Sequence, residues 1–235
     1  MMVSIYSFFR FWAGPLAMVQ RLPLLILFAV GAMLLYPFVW LRVGHWVFYQ
    51  YLRGVISFLL WVNGVRVSMD KEKLSALEPG FFVVNYAHFV ELLILFKVFS
   101  YRKLILMDDA FFSMRFFSAV LMNLGIAPQD NRVSMKEFQS KVFSYEAYVQ
   151  AGFSVIDCVD MQYQRDEVVP NVMALSLRYK KPVHCFKFSG TNAVAYASFL
   201  TPVTLNFSYV DTVAVNRRPE LCLLNYDRVK FSYLK

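Results

Sequence analysis

Apolar and polar residues along the chain fall into blocks that predict strands followed by helices. Short apolar runs bounded by polar or turn residues are typical of buried strands, and they occupy residues 65–68, 81–85, 103–107, 153–159 and 182–188. Runs with helical character occupy residues 86–100, 110–124, 134–151 and 168–180. Two late runs, 200–210 and 221–233, are again strand-like. Strands that alternate with helices predict an α/β fold in which a mostly parallel sheet is flanked by helices.

The first 64 residues have a different pattern, which predicts a membrane-embedded helical segment. Residues 22–41, LPLLILFAVGAMLLYPFVWL, contain no charge, and about 20 apolar residues in a helix cross a hydrocarbon core of roughly 30 Å. A second apolar run, 45–65, is interrupted by Arg53 and Asn63; it can span, lie in the interface or form the second arm of a hairpin. We expect anchor helices over residues 1–64 and an α/β domain over 65–235. Aromatic residues at the ends of these runs suit an interfacial belt: Trp40, Trp46, Tyr49 and Tyr51.

Composition and charge support this interpretation. Hydrophobic residues make up 58% of the 235 residues and charged residues 17%, against roughly 45–50% and about 25% in soluble domains. The formal net charge is +8, and basic residues beside a membrane segment favour the cytoplasmic side and anionic headgroups. We therefore expect a membrane protein with its α/β domain on the cytoplasmic face and membrane lipids as partners. No basic helix or glycine-rich aromatic motif indicates nucleic acid, and the oligomeric state has no signature in the sequence.

The three cysteines do not form a recognisable metal or disulfide pattern. Cys158, Cys185 and Cys222 have no Cys-x2-Cys spacing and are odd in number, so we expect reduced residues in the cores of strands. No cluster of histidines and carboxylates has metal-ligand spacing either.

The junction between the second strand and the following helix holds the candidate chemistry. Residues 81–95 read FFVVNYAHFVELLIL, so a buried strand ends on Asn85 and polar residues open the helix. Open α/β sheets bind their ligands at the carboxyl ends of strands. His88 and Glu91 are three residues apart, which is a spacing that puts them on one helical face.

Asn85, Tyr86, four residues and Glu91 follow an apolar strand, and this arrangement resembles the first motif of the glycerolipid acyltransferases, the lysophosphatidate acyltransferase family. That motif is Asn-His-x4-Asp after a strand. The later stretch LGIAPQDNR at 124–132 is similar to the family's second block, in which an arginine binds phosphate, and Asp160 falls near the glutamate of its third block. A proline-led strand at 181–183 looks like the fourth block.

The resemblance implies an acyltransferase-like fold and a reaction. In the family, a histidine acts as general base on a lipid hydroxyl, an aspartate orients it, and the acyl chain arrives as a thioester of coenzyme A or acyl carrier protein, with no bound cofactor. Here a tyrosine and a glutamate stand at those two positions. Tyrosine has a pKa near 10 and is protonated at neutral pH, so Tyr86 is a poor base. His88, oriented by Glu91, is the candidate replacement. It requires an irregular helix start, because two residues of helix rotate a side chain by about 200°; the alternative is that His88 and Glu91 form a polar site or a structural pair.

The expected site therefore consists of a catalytic pair, His88 and Glu91, and of substrate-binding residues. The latter are Asn85, Tyr86, Arg132, Asp160 and Arg165.

Three functions remain open from the sequence. The first is an active O-acyltransferase of the 1-acylglycerol-3-phosphate type, which acts on lysophosphatidate or a related lipid acceptor. The second is an inactive family member that binds lipid, an acyl chain or a partner protein such as acyl carrier protein in envelope or lipid biosynthesis, because both catalytic residue types of the motif are replaced. The third is a structural membrane protein of unrelated fold, in which residues 81–91 would not form a strand followed by a helix.

Overall fold

The computed structural model describes residues 30–31, 42–85, 89–100, 102–108, 125–129, 143–159, 171–190 and 202–214. The helices in these ranges are α1 Arg42–Val62, α2 Lys71–Leu77, α3 Phe89–Val98, α4 Phe143–Gln150 and α5 Asn171–Tyr179. The strands are β1 Val65–Met69, β2 Phe81–Asn85, β3 Lys103–Asp108, β4 Ile126–Gln129, β5 Ser154–Val159, β6 Val183–Ser189 and β7 Val203–Val213.

The strands form one sheet in the order β1-β7-β6-β2-β5-β3-β4. β2 pairs in parallel with β5 and β6, and β3 pairs in parallel with β4 and β5. Parallel neighbours need crossover connections, which explains why helices separate these strands along the chain. β7 differs, because its contacts with β6 join His184 to Thr212 and Phe188 to Phe207, so the two strands run in opposite directions. The predicted mostly parallel α/β sheet is confirmed.

The central strands are apolar throughout because both of their faces are covered. Every residue of β5 is buried, as are the first four of β2, which is the burial expected of strands in a parallel sheet. One face forms a core with Val172, Met173 and Leu175 of α5. Cys158 and Cys185 are buried in β5 and β6, as expected; Cys222 lies outside the described residues.

Helix α2 corrects the interpretation of residues 70–80, whose charge and Pro79-Gly80 ending predict a surface connection. Asp70 caps the helix, and its carboxylate accepts a hydrogen bond of 2.9 Å from the backbone N–H of Lys73. Leu74 is buried on the inner face. An N-cap aspartate satisfies one of the backbone donors that a helix start leaves unpaired, so this charged stretch folds as a short helix.

The chain divides into two compact units. One comprises Met1–Ser68, His88–Tyr101 and Ser189–Asn206, and the other comprises Met69–Ala87, Arg102–Phe188 and Phe207–Lys235. The first unit contains α1 and α3, which contact each other. The second contains β2 to β6 with α2, α4 and α5. The expected division into an anchor (1–64) and a domain (65–235) stays a prediction.

The predicted N-terminal membrane segment lies almost entirely outside the described residues. Of residues 22–41 the structure describes only Val30 and Gly31, which are helical. None of the helices in the described ranges combines the length and the apolar composition that crossing a membrane requires. The second apolar run forms α1, which buries one face and exposes Trp46, Phe58 and Trp61 on another.

Tyr49 corrects the prediction of an interfacial aromatic belt. Its side chain is only 3% exposed and belongs to the buried face of α1 together with Leu52 and Ile56. Tyr51 is half-buried, and a side chain at Gly31 would overlap its hydroxyl. Trp46 is exposed, as a belt residue would be, and Trp40 lies outside the described residues.

Candidate functional site

The carboxyl ends of the parallel strands define where a site is expected. β2, β3, β4, β5 and β6 are parallel, so their last residues lie along one edge of the sheet. Ligands of open α/β sheets bind at that edge. Asn85 ends β2 and Ser189 ends β6. The candidate motif therefore begins at the edge of the sheet where ligands of open α/β sheets bind.

Asn85 joins the ends of β2 and β6 through its side-chain amide. Its Nδ2 donates to the carbonyl oxygen of Phe188 at 3.2 Å, and its Oδ1 accepts from the N–H of Phe188 at 2.5 Å. The backbone register between the strands runs as far as Val84 opposite Phe186. The amide thus imitates a backbone peptide and extends the pairing by one step. We call this pair of hydrogen bonds the Asn85 clasp.

The clasp restricts what Asn85 can offer a substrate. An asparagine amide has two N–H donors and an oxygen with two acceptor positions, and the clasp uses one donor and one acceptor position. One N–H and one lone pair remain. The role of Asn85 in substrate binding stays a prediction.

Glu91 lies in the first turn of α3, where the sequence predicts it. Its side chain is 1% exposed, in a helix whose other residues are apolar apart from Lys97. The helix dipole favours a carboxylate near the N-terminus, but burying a charge is costly and needs compensation. A carboxylate retained at such a position is a candidate for function.

The remaining predicted site residues lie outside the described residues. These are Tyr86, His88, Arg132, Asp160 and Arg165. The pairing of His88 with Glu91 therefore stays a prediction, as do the substrate contacts of the other four.

At its other end, α3 is held by Tyr49, which the sequence assigned to an interfacial belt and not to the site. The hydroxyl of Tyr49 lies 3.1 Å from the carbonyl oxygen of Phe96 and 3.0 Å from that of Phe99. The last four carbonyls of a helix lack donors within the helix, and a buried tyrosine hydroxyl needs a partner. Tyr49 lies three and seven residues before Leu52 and Ile56, a spacing that indicates a shared buried helix face.

Asp157 is a second buried carboxylate that the sequence did not single out. It lies within β5, is fully buried, and its Oδ2 accepts a hydrogen bond of 3.1 Å from the N–H of Val172 at the start of α5. Burial, with the charge of Asp157 as a smaller cause, raises the pKa of Tyr145, whose hydroxyl donates to the carbonyl of Pro128. One aspartate inside the apolar run SVIDCV is the signal that could have found it.

His184 lies near the amino end of β6, away from the carboxyl edge of the parallel strands. Its Nδ1 is 2.9 Å from the Oγ1 of Thr212, which is 2.6 Å from the hydroxyl of Tyr209. Burial lowers the pKa of His184. The imidazole of His184 is therefore a hydrogen-bonded structural group of the strand. Within the described ranges, no group of three or more His, Cys, Asp or Glu side chains is arranged to hold a metal ion.

The similarity of this chain to known proteins is one of fold. No family model matches the sequence, and no curated protein does. Among solved structures, the chain is similar to the 1-acyl-sn-glycerophosphate acyltransferase PlsC from Thermotoga maritima, with a TM-score of 0.55 and 12% identity over 92% of this chain and 95% of that chain. The chain has an acyltransferase-like fold. At 12% identity the similarity shows the fold alone.

Two expectations are decided by these findings. The acyltransferase-like α/β fold is confirmed. A structural membrane protein of unrelated fold is excluded, because residues 81–85 form a strand and the helix that follows contains Glu91.

Proposed function

We propose that the protein is a membrane-bound O-acyltransferase that transfers an acyl chain from a thioester to lysophosphatidate or a related lipid acceptor. The observation that carries this proposal is the buried carboxylate of Glu91 in the first turn of the helix after β2. The resembled motif has its aspartate at this spacing from Asn85. The acyltransferase-like fold supports the same reaction class.

In the proposed reaction, the imidazole of His88 takes the proton of the acceptor hydroxyl while the hydroxyl oxygen attacks the thioester carbonyl carbon. The carbon–sulfur bond then breaks, and the leaving thiolate receives that proton. Histidine titrates near neutral pH and suits this role. The carboxylate of Glu91 holds the imidazole in position and stabilises its protonated form.

The remaining predicted residues bind the acceptor in this proposal. An anionic headgroup is held by Arg132 or Arg165, because guanidinium groups bind phosphate through paired hydrogen bonds. Asn85, Tyr86 and Asp160 complete the substrate contacts. The donor is an acyl thioester of coenzyme A or acyl carrier protein.

Membrane attachment is the second part of the proposal. Trp46, Phe58 and Trp61 are exposed on α1, and the rings of Phe58 and Trp61 stack with centroids 5.8 Å apart. Tryptophan is favoured at the headgroup level of a bilayer, and a net charge of +8 favours anionic lipids. We propose that α1 lies against the membrane with the α/β domain on the cytoplasmic face, together with an anchor in residues 22–41.

Thiol release by the purified, detergent-solubilised protein tests the reaction. With acyl-coenzyme A or acyl carrier protein as donor and lysophosphatidate as acceptor, we expect release of free thiol and formation of phosphatidate. His88→Ala should abolish both, while the control variant His184→Asn, which alters a histidine remote from the carboxyl edge, should retain them.

Full turnover in His88→Ala would overturn the catalytic assignment. A folded wild-type protein that carries lipid through purification but releases no thiol with either donor would favour the inactive lipid-binding member. The replacement of histidine and aspartate by Tyr86 and Glu91 in the first motif is the observation that favours this alternative.

A further inference from the structure

Helix α3 is fastened at the end opposite to Glu91. Tyr49 of α1 approaches two backbone carbonyls, those of Phe96 and Phe99, within 3.1 Å. All three residues are buried. A hydroxyl has a single hydrogen, so the two carbonyls share it in a three-centre hydrogen bond.

The position of this hydrogen bond makes it a C-terminal cap supplied by another helix. α3 ends at Val98, so the carbonyl of Phe96 belongs to its last turn, and that of Phe99 follows directly. Carbonyls at the end of a helix are commonly capped by side chains from outside it. The bond therefore fixes how far α3 is displaced along its own axis relative to α1, within the unit to which both belong.

A displacement at this end of α3 reaches Glu91. Phe96 lies five positions after Glu91, a distance of about 7.5 Å along the helix axis. An α-helix of this length moves as a rigid rod, because every peptide between the two points is hydrogen-bonded within the helix. Glu91 and its neighbours Val90, Leu92 and Ile94 are buried, and close packing of buried side chains resists independent adjustment.

We propose that Tyr49 is a positioning residue: by capping α3, its hydroxyl sets the position of the buried carboxylate of Glu91. The effect on turnover rests on the proposed function. Catalytic groups tolerate little displacement, and an error of about 1 Å can cost up to about 100-fold in rate. Helix α1, whose outer face carries the exposed aromatic residues, thereby sets the geometry of the acidic member of the catalytic pair.

Tyr49→Phe and Tyr145→Phe form a matched pair of variants. Each deletes one hydroxyl that is hydrogen-bonded to a backbone carbonyl, the second at 3.2 Å from Pro128 in the unit that lacks α3. We expect Tyr49→Phe to lower kcat by about tenfold with KM within about twofold of wild type. Tyr145→Phe should leave both values unchanged when assayed below its unfolding transition. Equal kcat in Tyr49→Phe and wild type would overturn the proposal.

A double-mutant cycle with Glu91→Gln separates positioning from general loosening of the fold. If Tyr49 acts through the carboxylate, Tyr49→Phe has no further effect on kcat once Glu91→Gln is present. Full additivity of the two changes would mean that Tyr49 acts elsewhere, and the proposal would fall.

Hydrogen exchange of the backbone amides gives a measurement that needs no turnover. We expect Tyr49→Phe to speed exchange along α3 as far as its first two turns, and Tyr145→Phe to leave α3 unchanged. Faster exchange confined to residues 97–99 would overturn the proposal, as would a Tyr49→Phe chain that does not fold. If wild type shows no acyl transfer while exchange follows the expected pattern, the proposed function fails and the positioning of Glu91 by Tyr49 stands.

Discussion

Glu91 and Asp157 are both carboxylates buried inside apolar elements, but they lie at different places in the fold. This difference distinguishes a structural role from a candidate catalytic role. Asp157 lies within a central strand and accepts a hydrogen bond from the N–H of Val172 at the first turn of α5. Glu91 lies in the first turn of the helix that follows β2, after the carboxyl edge of the parallel strands. Burial of a carboxylate is therefore ambiguous by itself. Its position relative to strand ends and helix starts is what distinguishes a helix cap from a candidate catalytic group.

The largest effect is expected on turnover from Glu91→Gln. The amide keeps the shape of the side chain but cannot stabilise a protonated imidazole, so we expect kcat to fall by about 10²- to 10⁴-fold, with a much smaller effect on the free energy of unfolding because the packing is kept. Steady-state kinetics and urea unfolding measure the two quantities. If Glu91→Gln lowers the free energy of unfolding but leaves kcat unchanged, Glu91 is the structural carboxylate and the contrast with Asp157 fails.

Asp157→Ala should act on stability instead. Its loss leaves the N–H of Val172 buried without its acceptor and removes a negative charge from the start of α5, so we expect the free energy of unfolding to fall by about 2–3 kcal/mol. Below the unfolding transition kcat should equal that of wild type. The control Asp157→Asn retains an acceptor oxygen and should lose less. Because the charge of Asp157 raises the pKa of Tyr145, both variants should lower that pKa in a spectroscopic titration.

The Asn85 clasp gives a third comparison, between a strand end and a helix end. Asn85→Ala leaves both the N–H and the carbonyl of Phe188 unpaired, and we expect a loss of about 1–2 kcal/mol in the free energy of unfolding. Asn63→Ala removes the hydrogen bond of 2.7 Å from the side-chain amide to the carbonyl of Leu59, which keeps its bond to the backbone N–H of residue 63; this control should cost less. Equal losses would show that the second hydrogen bond of the clasp contributes nothing.

The smallest effect is expected from the titration of His184. Burial lowers its pKa below the ordinary value of 6.5, so the unfolded chain binds this proton at a higher pH than the folded one. Stability should be complete above about pH 6.5 and should decrease as the pH falls below it. Urea unfolding between pH 7.5 and 5 measures this, and His184→Asn should flatten that part of the profile. A stability that rises on acidification in wild type alone would contradict the burial of a neutral imidazole.

The strands could be predicted because strands buried on both faces are short apolar runs with polar ends. β2 is the clearest case, as its apolar residues Phe81 to Val84 stop at Asn85. β4 has only four residues, too few for a recognisable apolar run, and its identity as a strand comes from pairing with β3. Helix α2 was missed because its capping aspartate resembles the charge of a surface loop.

The sequence could predict only those site residues that are identified by their spacing from a strand or helix end. Glu91 follows from its spacing after a strand. The partners of Tyr49 lie 47 and 50 residues away, and that of Asp157 lies 15 residues away; local patterns contain no information about such contacts. Tyr49 was consequently assigned to a membrane belt by its residue type, although its spacing from Leu52 and Ile56 indicates the buried face.

The Asn85 clasp also has a consequence for biosynthesis. Its two residues are 103 positions apart, so the ribosome must complete β6 before the end of β2 can acquire its second partner. At roughly 5–20 residues per second, the nascent chain waits about 5–20 s with the β6 side of this strand end unpaired. A chaperone that binds exposed strand edges would have its opportunity on β2 during that interval, and the carboxyl edge that holds the candidate site reaches its final geometry only afterwards.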